Sequence, residues 1–144
     1  MIYTMGFTQK NAAEFFSKIK RNNIDILIDI RLNNKSQLAG FTKGQDLEYF
    51  LREICQCKYS HEIMFAPTKD ILDRYKKGTI TWNEYESEYN ALITRRKVED
   101  IFKRKYSEFE NVLLLCSEPT PEQCHRRLLA EYLSNGNKAD IKHI

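Results

Sequence analysis

Ile24-Asp25-Ile26-Leu27-Ile28-Asp29-Ile30 decides the fold class. The run is β-branched and nearly continuous in its apolar character, as a strand covered on both faces should be. Upstream of it, Ala12, Phe15, Phe16 and Ile19 recur at the spacing of one helix face. Asn11 and Glu14 form a capping box that sets where this helix starts, and Asn22-Asn23 ends it. Earlier still, Ile2 to Met5 is short and apolar and stops at Gly6, so it reads as a buried strand. Strand, helix and strand in about 30 residues make a βαβ unit, whose crossover is expected to be right-handed.

Downstream, Leu32 to Gly44 carries Asn, Lys, Ser, Gln and glycine and reads as a long loop, a common place for function. Leu47, Phe50, Leu51 and Ile54 mark a second amphipathic helix. Lys58 to Ala66 alternates loosely and is predicted as a strand. Thr68 caps a short helix through Ile71, Leu72 and Tyr75 that stops at Gly78. Thr81-Trp-Asn-Glu84 is a capping box ahead of Tyr85, Tyr89, Leu92 and Ile93, and the helix is expected to continue through Arg95 to Lys105. Asn111-Val-Leu-Leu-Leu-Cys116 is a further central strand. Thr120-Pro-Glu-Gln123 looks like another capping box, with Pro121 at the first helical position of a helix running to about Ser134. Ala139 to Ile144 is a last short strand. Strands alternating with helices over residues 1–144 predict one α/β domain, a three-layer sandwich with a mainly parallel sheet.

The chain has 144 residues, 42% of them hydrophobic and 30% charged, which excludes a disordered composition and suffices for one core without disulfides or metal. No apolar run reaches the roughly 20 residues of a membrane span. Met1 to Gly6 has neither a basic segment nor a long apolar stretch, which argues against a signal peptide and makes the cytoplasm the expected location. Cys55, Cys57, Cys116 and Cys124 are then expected as free thiols. The net charge of +3 disfavours a dedicated nucleic-acid binder.

Ligands of open α/β sheets bind outside the carboxyl ends of the strands. That edge collects Gly6, Phe7 and Thr8, then Asp29 and Arg31, Tyr59 and His61, Cys116, Ser117 and Glu118, and His143. The strongest segment is Cys116-Ser-Glu-Pro-Thr-Pro-Glu-Gln-Cys-His-Arg-Arg127. A thiol between a strand end and a helix start should have a lowered pKa, and the same place suits an anion. Cys124 falls with Leu128 and Tyr132 as a core thiol, with a role as a ligand as the alternative. His125, in the first helical turn, is expected neutral and fit for a base or a ligand. Asp29 and Arg31 lie two apart on a strand and so point the same way. They read either as a structural ion pair or as part of a site, and His61 either as an exposed strand residue or as part of one.

No GxGxxG, Walker A, cysteine-phosphatase loop, zinc-deaminase or His-Glu-x-x-His pattern is present. The leading reading is an enzyme on an anionic substrate, phosphate-bearing or nucleotide-like, such as a nucleotide or a nucleic-acid end. Cys116 is its nucleophile and Glu118 or His125 its acid/base. Arg31 and Arg126 hold the anion, with Asp29, Tyr59, His61, Cys124 and His143 around them. The alternatives are a metal site drawn from Cys116, Glu118, Cys124, His125 and His143, or a nucleic-acid-binding module. The last would use Lys18, Lys20, Arg21, Arg95, Arg96, Lys97, Lys103, Arg104 and Lys105. No cofactor is identified.

Tyr3-Thr-Met-Gly6, Asp29-Ile-Arg31, Gly40-Phe41, Tyr59 with His61, Ala66-Pro-Thr68, Tyr75 through Trp82, Leu114 through Glu118, Cys124-His-Arg-Arg127 and His143-Ile144 occur in one order. In this the chain resembles the domain of unknown function 488 family, most closely the branch with a Lys-Gly-x-Ile-Thr-Trp segment. The resemblance implies a small cytoplasmic α/β protein of the bacterial and archaeal type. The family's motif residues fall on Asp29, Arg31, Tyr59, His61, Cys116, Glu118, Cys124, His125, Arg126 and His143. Members commonly carry Gly-His-Ser/Thr after the first strand, where this chain has Gly6-Phe7-Thr8.

Overall fold

A computed structural model describes residues 1–35, 39–137 and 139–144, with the side chains of 136 and 137 left aside. Ser36, Gln37 and Leu38 of the long loop, and Lys138, lie outside the described residues. The strands are β1 (Ile2–Gly6), β2 (Ile26–Asp29), β3 (Lys58–His61), β4 (Val112–Cys116) and β5 (Ile141–His143). The helices are α1 (Ala12–Arg21), α2 (Gly44–Phe50), α3 (Lys69–Lys76), α4 (Trp82–Arg95), α5 (Val98–Tyr106) and α6 (His125–Asn137). All five strands are parallel, in the order β3-β2-β4-β1-β5.

Period-two alternation splits the strand side chains between two cores. Tyr3, Met5, Leu27, Leu113 and Leu115 pack with Phe15, Phe16 and Ile19 of α1 and Leu47 of α2. Ile2, Ile26, Ile28, Ile30, Val112 and Leu114 pack with α3 to α6 through residues such as Ile71, Tyr89, Phe102 and Leu129. The result is the expected three-layer α/β sandwich. Strand β1 sends its chain to the α1 face, while its neighbour β4 sends its chain to the α6 face. The crevice opened by that divergence lies at the carboxyl ends of β1, β4 and β2, where doubly wound sheets bind ligands.

Local chemistry sets most boundaries as expected. Asn11 accepts the Glu14 N–H, which is one half of the expected box, Thr68 caps α3, and Thr81 with Glu84 closes a full capping box. Gly78, at φ 75°, ends the α3 turn in a conformation natural to glycine.

Four expectations need correction. Strand β3 ends at His61 and not at Ala66, because a 3-10 turn, Ile63–Phe65, tucks Phe65 into the core. The long charged helix is broken, with Lys97 at φ 52° separating α4 from α5. Helix α2 runs into a π-helical turn, Leu51–Cys55, and Ile54 is exposed.

The largest correction is at α6, which starts at His125 and not behind Thr120. The Gln123 carboxamide oxygen accepts Tyr75 OH, and the Glu122 carboxylate bonds to Thr120, so no capping box forms there. The Ser117 carbonyl is held by the backbone N–H and hydroxyl of Thr8, and the Glu118 carbonyl by Arg126. The chain is thereby drawn across the end of β1 before it can turn into the helix.

Candidate functional site

Strand β4 delivers Cys116 to the carboxyl edge, opposite Gly6 of β1. Its sulfur accepts a hydrogen bond from the Cys124 thiol at 3.0 Å and lies 3.6 Å from His125 Nδ1. The His125 Nε2 is 2.9 Å from the Ile30 carbonyl oxygen, which can only accept, so Nε2 carries the proton and Nδ1 is the nitrogen turned to the sulfur. The ring stacks edge-on against Tyr89, centroids 5.4 Å apart. Cys116, Cys124 and His125 are all buried.

The Cys124 thiol, the backbone N–H groups of Glu118 and Ser117 and the Arg126 guanidinium hold the Cys116 thiol below its ordinary pKa despite burial. The donation to Cys116, together with burial, raises Cys124. Burial also raises Cys55, and pushes Cys57 up to about 12. The sequence assigned the acidifying role to a helix end; in the structure it falls to a neighbouring thiol and loop N–H groups. Arg126, 1% exposed, has no carboxylate partner among the described residues and donates to the Glu118 carbonyl at 2.6 Å. A buried guanidinium so placed favours a negative charge on Cys116.

On the other side of the sheet end, Asp29 and Arg31 form a buried bidentate pair. Arg31 Nε is 2.8 Å from Oδ1 and Nη2 is 2.7 Å from Oδ2. Nη2 also donates to the Thr42 carbonyl, and the guanidinium lies over the Phe7 ring, 5.2 Å from its centroid. Tyr59 OH donates to Asp29 at 2.7 Å and receives a hydrogen bond from Asn34. Burial and the Asp29 charge raise the Tyr59 phenol and keep it a donor. His61, exposed on β3, donates through Nε2 to the Arg31 carbonyl. Arg31 Nη1 is buried with no hydrogen-bond partner among the described residues.

A cleft of about 700 Å³ joins these groups. Arg31, Cys116, Glu118, Cys124 and His125 line it, with Tyr75, Trp82 and Tyr85 as an aromatic wall. Trp82 and Tyr85 stack at 5.1 Å. Glu118 is exposed at the edge of the cleft. Asp29, Tyr59, His61 and Arg126 do not line it. His143 lies on β5, across β1 from Cys116, where its Nδ1 and the Thr4 hydroxyl share a 2.6 Å hydrogen bond. Burial and the Arg126 charge lower its pKa. The sequence reading missed the aromatic wall. Its signal was the Tyr75 to Trp82 segment, whose residues fit helix-face and capping patterns and so read as packing.

No helix among the described residues is long and apolar enough to cross a membrane. A family model described as "Domain of unknown function DUF488" matches residues 11–133. No curated protein and no solved structure matches the chain.

Proposed function

We propose that this chain, which belongs to the DUF488 family, is an enzyme that acts on an anionic, nucleotide-like substrate in the cleft at the carboxyl edge of its sheet. The observation that carries the reading is Cys116 at the cleft floor, its sulfur ringed by donors and faced by His125 Nδ1. A thiol so acidified yields its nucleophilic thiolate more readily, and a histidine fixed in one tautomer can hold and return a proton. Arg31, oriented by Asp29 and lining the cleft, meets the substrate's negative charge. The wall of Tyr75, Trp82 and Tyr85 offers faces for a planar ring. Glu118 is the second acid/base at the cleft edge. Tyr59, His61 and Arg126 hold the Arg31 and Cys116 segments in place, Cys124 donates to the nucleophile, and His143 braces β1 through Thr4.

Iodoacetamide at neutral pH should label Cys116 ahead of Cys55 and Cys57, with a rate profile whose midpoint lies below the ordinary thiol value. The fold holds Cys116 ionised at a lower pH while keeping the other two protonated. Nucleoside monophosphates should slow that labelling and raise the melting temperature, and Arg31→Lys should weaken both effects. Equal or slower labelling of Cys116, or no protection by any phosphorylated ligand, overturns the reading.

A second reading has its own observation. One ligand atom each from Cys116, Cys124 and His125 lie within 4.8 Å of one another, and the far nitrogen of the histidine is tied to a carbonyl, as metal-bound histidines usually are. Three such ligands with a fourth position facing the cleft suit zinc. Glu118 and His143 stand outside this group. Zinc retained by the purified protein and lost in Cys124→Ser selects this reading. A metal-free protein with fast Cys116 labelling selects the nucleophile.

The nucleic-acid-module reading gains least. Lys18, Lys20 and Arg21 sit on α1, whereas Arg95, Arg96, Lys97, Lys103, Arg104 and Lys105 belong to α4, α5 and their junction on the opposite face of the sheet. Lys105 pairs with Glu62, and Arg96 donates to the Met64 and Ala66 carbonyls.

A further inference from the structure

We infer that Cys116 and Cys124 form a peroxide-responsive dithiol, in which a hydroperoxide oxidises Cys116 and Cys124 closes the disulfide. The inference uses the same cleft floor as the proposed enzyme but needs no substrate, and it rests on contact geometry. The two sulfurs are 3.0 Å apart, so a covalent bond of about 2.05 Å requires an approach of only about 1 Å. Residues 117–123 between them form neither helix nor strand, so the shift breaks no regular hydrogen-bond ladder. Both cysteines border the cleft, which gives a small oxidant a route to them. The other two thiols lack this arrangement: Cys55 donates to the Phe16 carbonyl and Cys57 to the Lys58 carbonyl.

The chemistry balances. The Cys116 sulfur attacks one peroxide oxygen, the O–O bond breaks, and the alcohol (water, from hydrogen peroxide) leaves with a proton, giving a sulfenic acid. The Cys124 sulfur then attacks the Cys116 sulfur, the S–O bond breaks, and hydroxide departs as water with the Cys124 proton. Two thiols and one hydroperoxide become one disulfide, one alcohol and one water. The sulfurs supply the two electrons that the peroxide takes up.

Chelator-treated protein is exposed to stepwise hydrogen peroxide, quenched with N-ethylmaleimide, digested and mapped by mass spectrometry. The expected product is a Cys116–Cys124 cross-linked peptide, with Cys55 and Cys57 still alkylated as thiols and dithiothreitol restoring the pair. In Cys124→Ser, Cys116 should instead accumulate as a sulfenic acid that dimedone traps. Should that variant fail to fold, the wild-type cross-link decides alone. Cys116 driven to sulfinic acid while Cys124 stays alkylated overturns the inference, as does a first disulfide through Cys55 or Cys57. Nucleotide protection is read separately on reduced protein, so failure of the enzyme reading and failure of the dithiol show in different measurements.

Discussion

Arg31→Ala should cost about 3–5 kcal/mol of folding stability, the range for removing one partner of a buried ion pair. Asp29 is wholly buried, and its carboxylate accepts Arg31 Nε, Arg31 Nη2, the Arg31 backbone N–H and Tyr59 OH. Alanine deletes both guanidinium bonds and leaves the charge with a phenol and one amide. It also frees the Thr42 carbonyl, which Arg31 ties to the strand end, and uncovers Phe7. At roughly 2–4 °C per kcal/mol for a chain near this size, the melting temperature should fall by roughly 6–20 °C. Arg31→Lys keeps the charge but not the fork, and should recover only part of the loss. Asp29→Asn should also destabilise, by stranding the guanidinium. The double variant Asp29→Asn with Arg31→Ala should cost less than the sum of the two, since each change removes the charge that the other strands. Melts of all four proteins test this, and an Arg31→Ala protein that melts with the wild type would show that the pair contributes nothing to the fold.

Gly6→Ala should disrupt the Cys116 loop. A Cβ built on Gly6 would lie 1.6 Å from the Glu118 carbonyl oxygen, 2.6 Å from its carbon and 3.0 Å from Arg126 Nη1. The obstacle is backbone, so no rotamer change relieves it. The loop cannot step aside freely, because Phe7 N–H holds the Cys116 carbonyl and Thr8 holds the Ser117 carbonyl. Relief requires breaking the Arg126–Glu118 bond and shifting the N–H groups that acidify Cys116. Overpacking of this kind costs about 1–3 kcal/mol or more. The expected result is a lower melting temperature and loss of the preferential labelling of Cys116. Wild-type values for both would mean that the loop does not pass over Gly6.

Neighbour-to-neighbour chemistry wrote much of this fold into the chain. The β-branched run from Ile24 to Ile30 reads as a strand covered on both faces and forms one over Ile26–Asp29, and the caps at Asn11, Thr68 and Thr81 fix helix starts because each satisfies a nearby N–H. Period two put Asp29 and Arg31 on one face, and the apolar run before Cys116 put that thiol at a strand end. The exceptions are positions where a distant partner outbid the local pattern. Gln123 was taken by Tyr75, and the Glu118 carbonyl by Arg126, so α6 starts later than its sequence suggests and Cys124 swings onto Cys116.

Tertiary structure alone inserted β4 between β1 and β2, and so brought Ile30 against the ring of His125 and chose its tautomer. It likewise packed Tyr75 and Trp82 against the face that holds Cys116 and Cys124, so that they wall the cleft, and left His143 on the far side of β1. Caps and periodicities act over a few residues and are therefore legible along the chain. Strand order and the contacts that build the cleft join residues as far apart as Ile30 and His125, where the burial of whole helix faces decides what meets what.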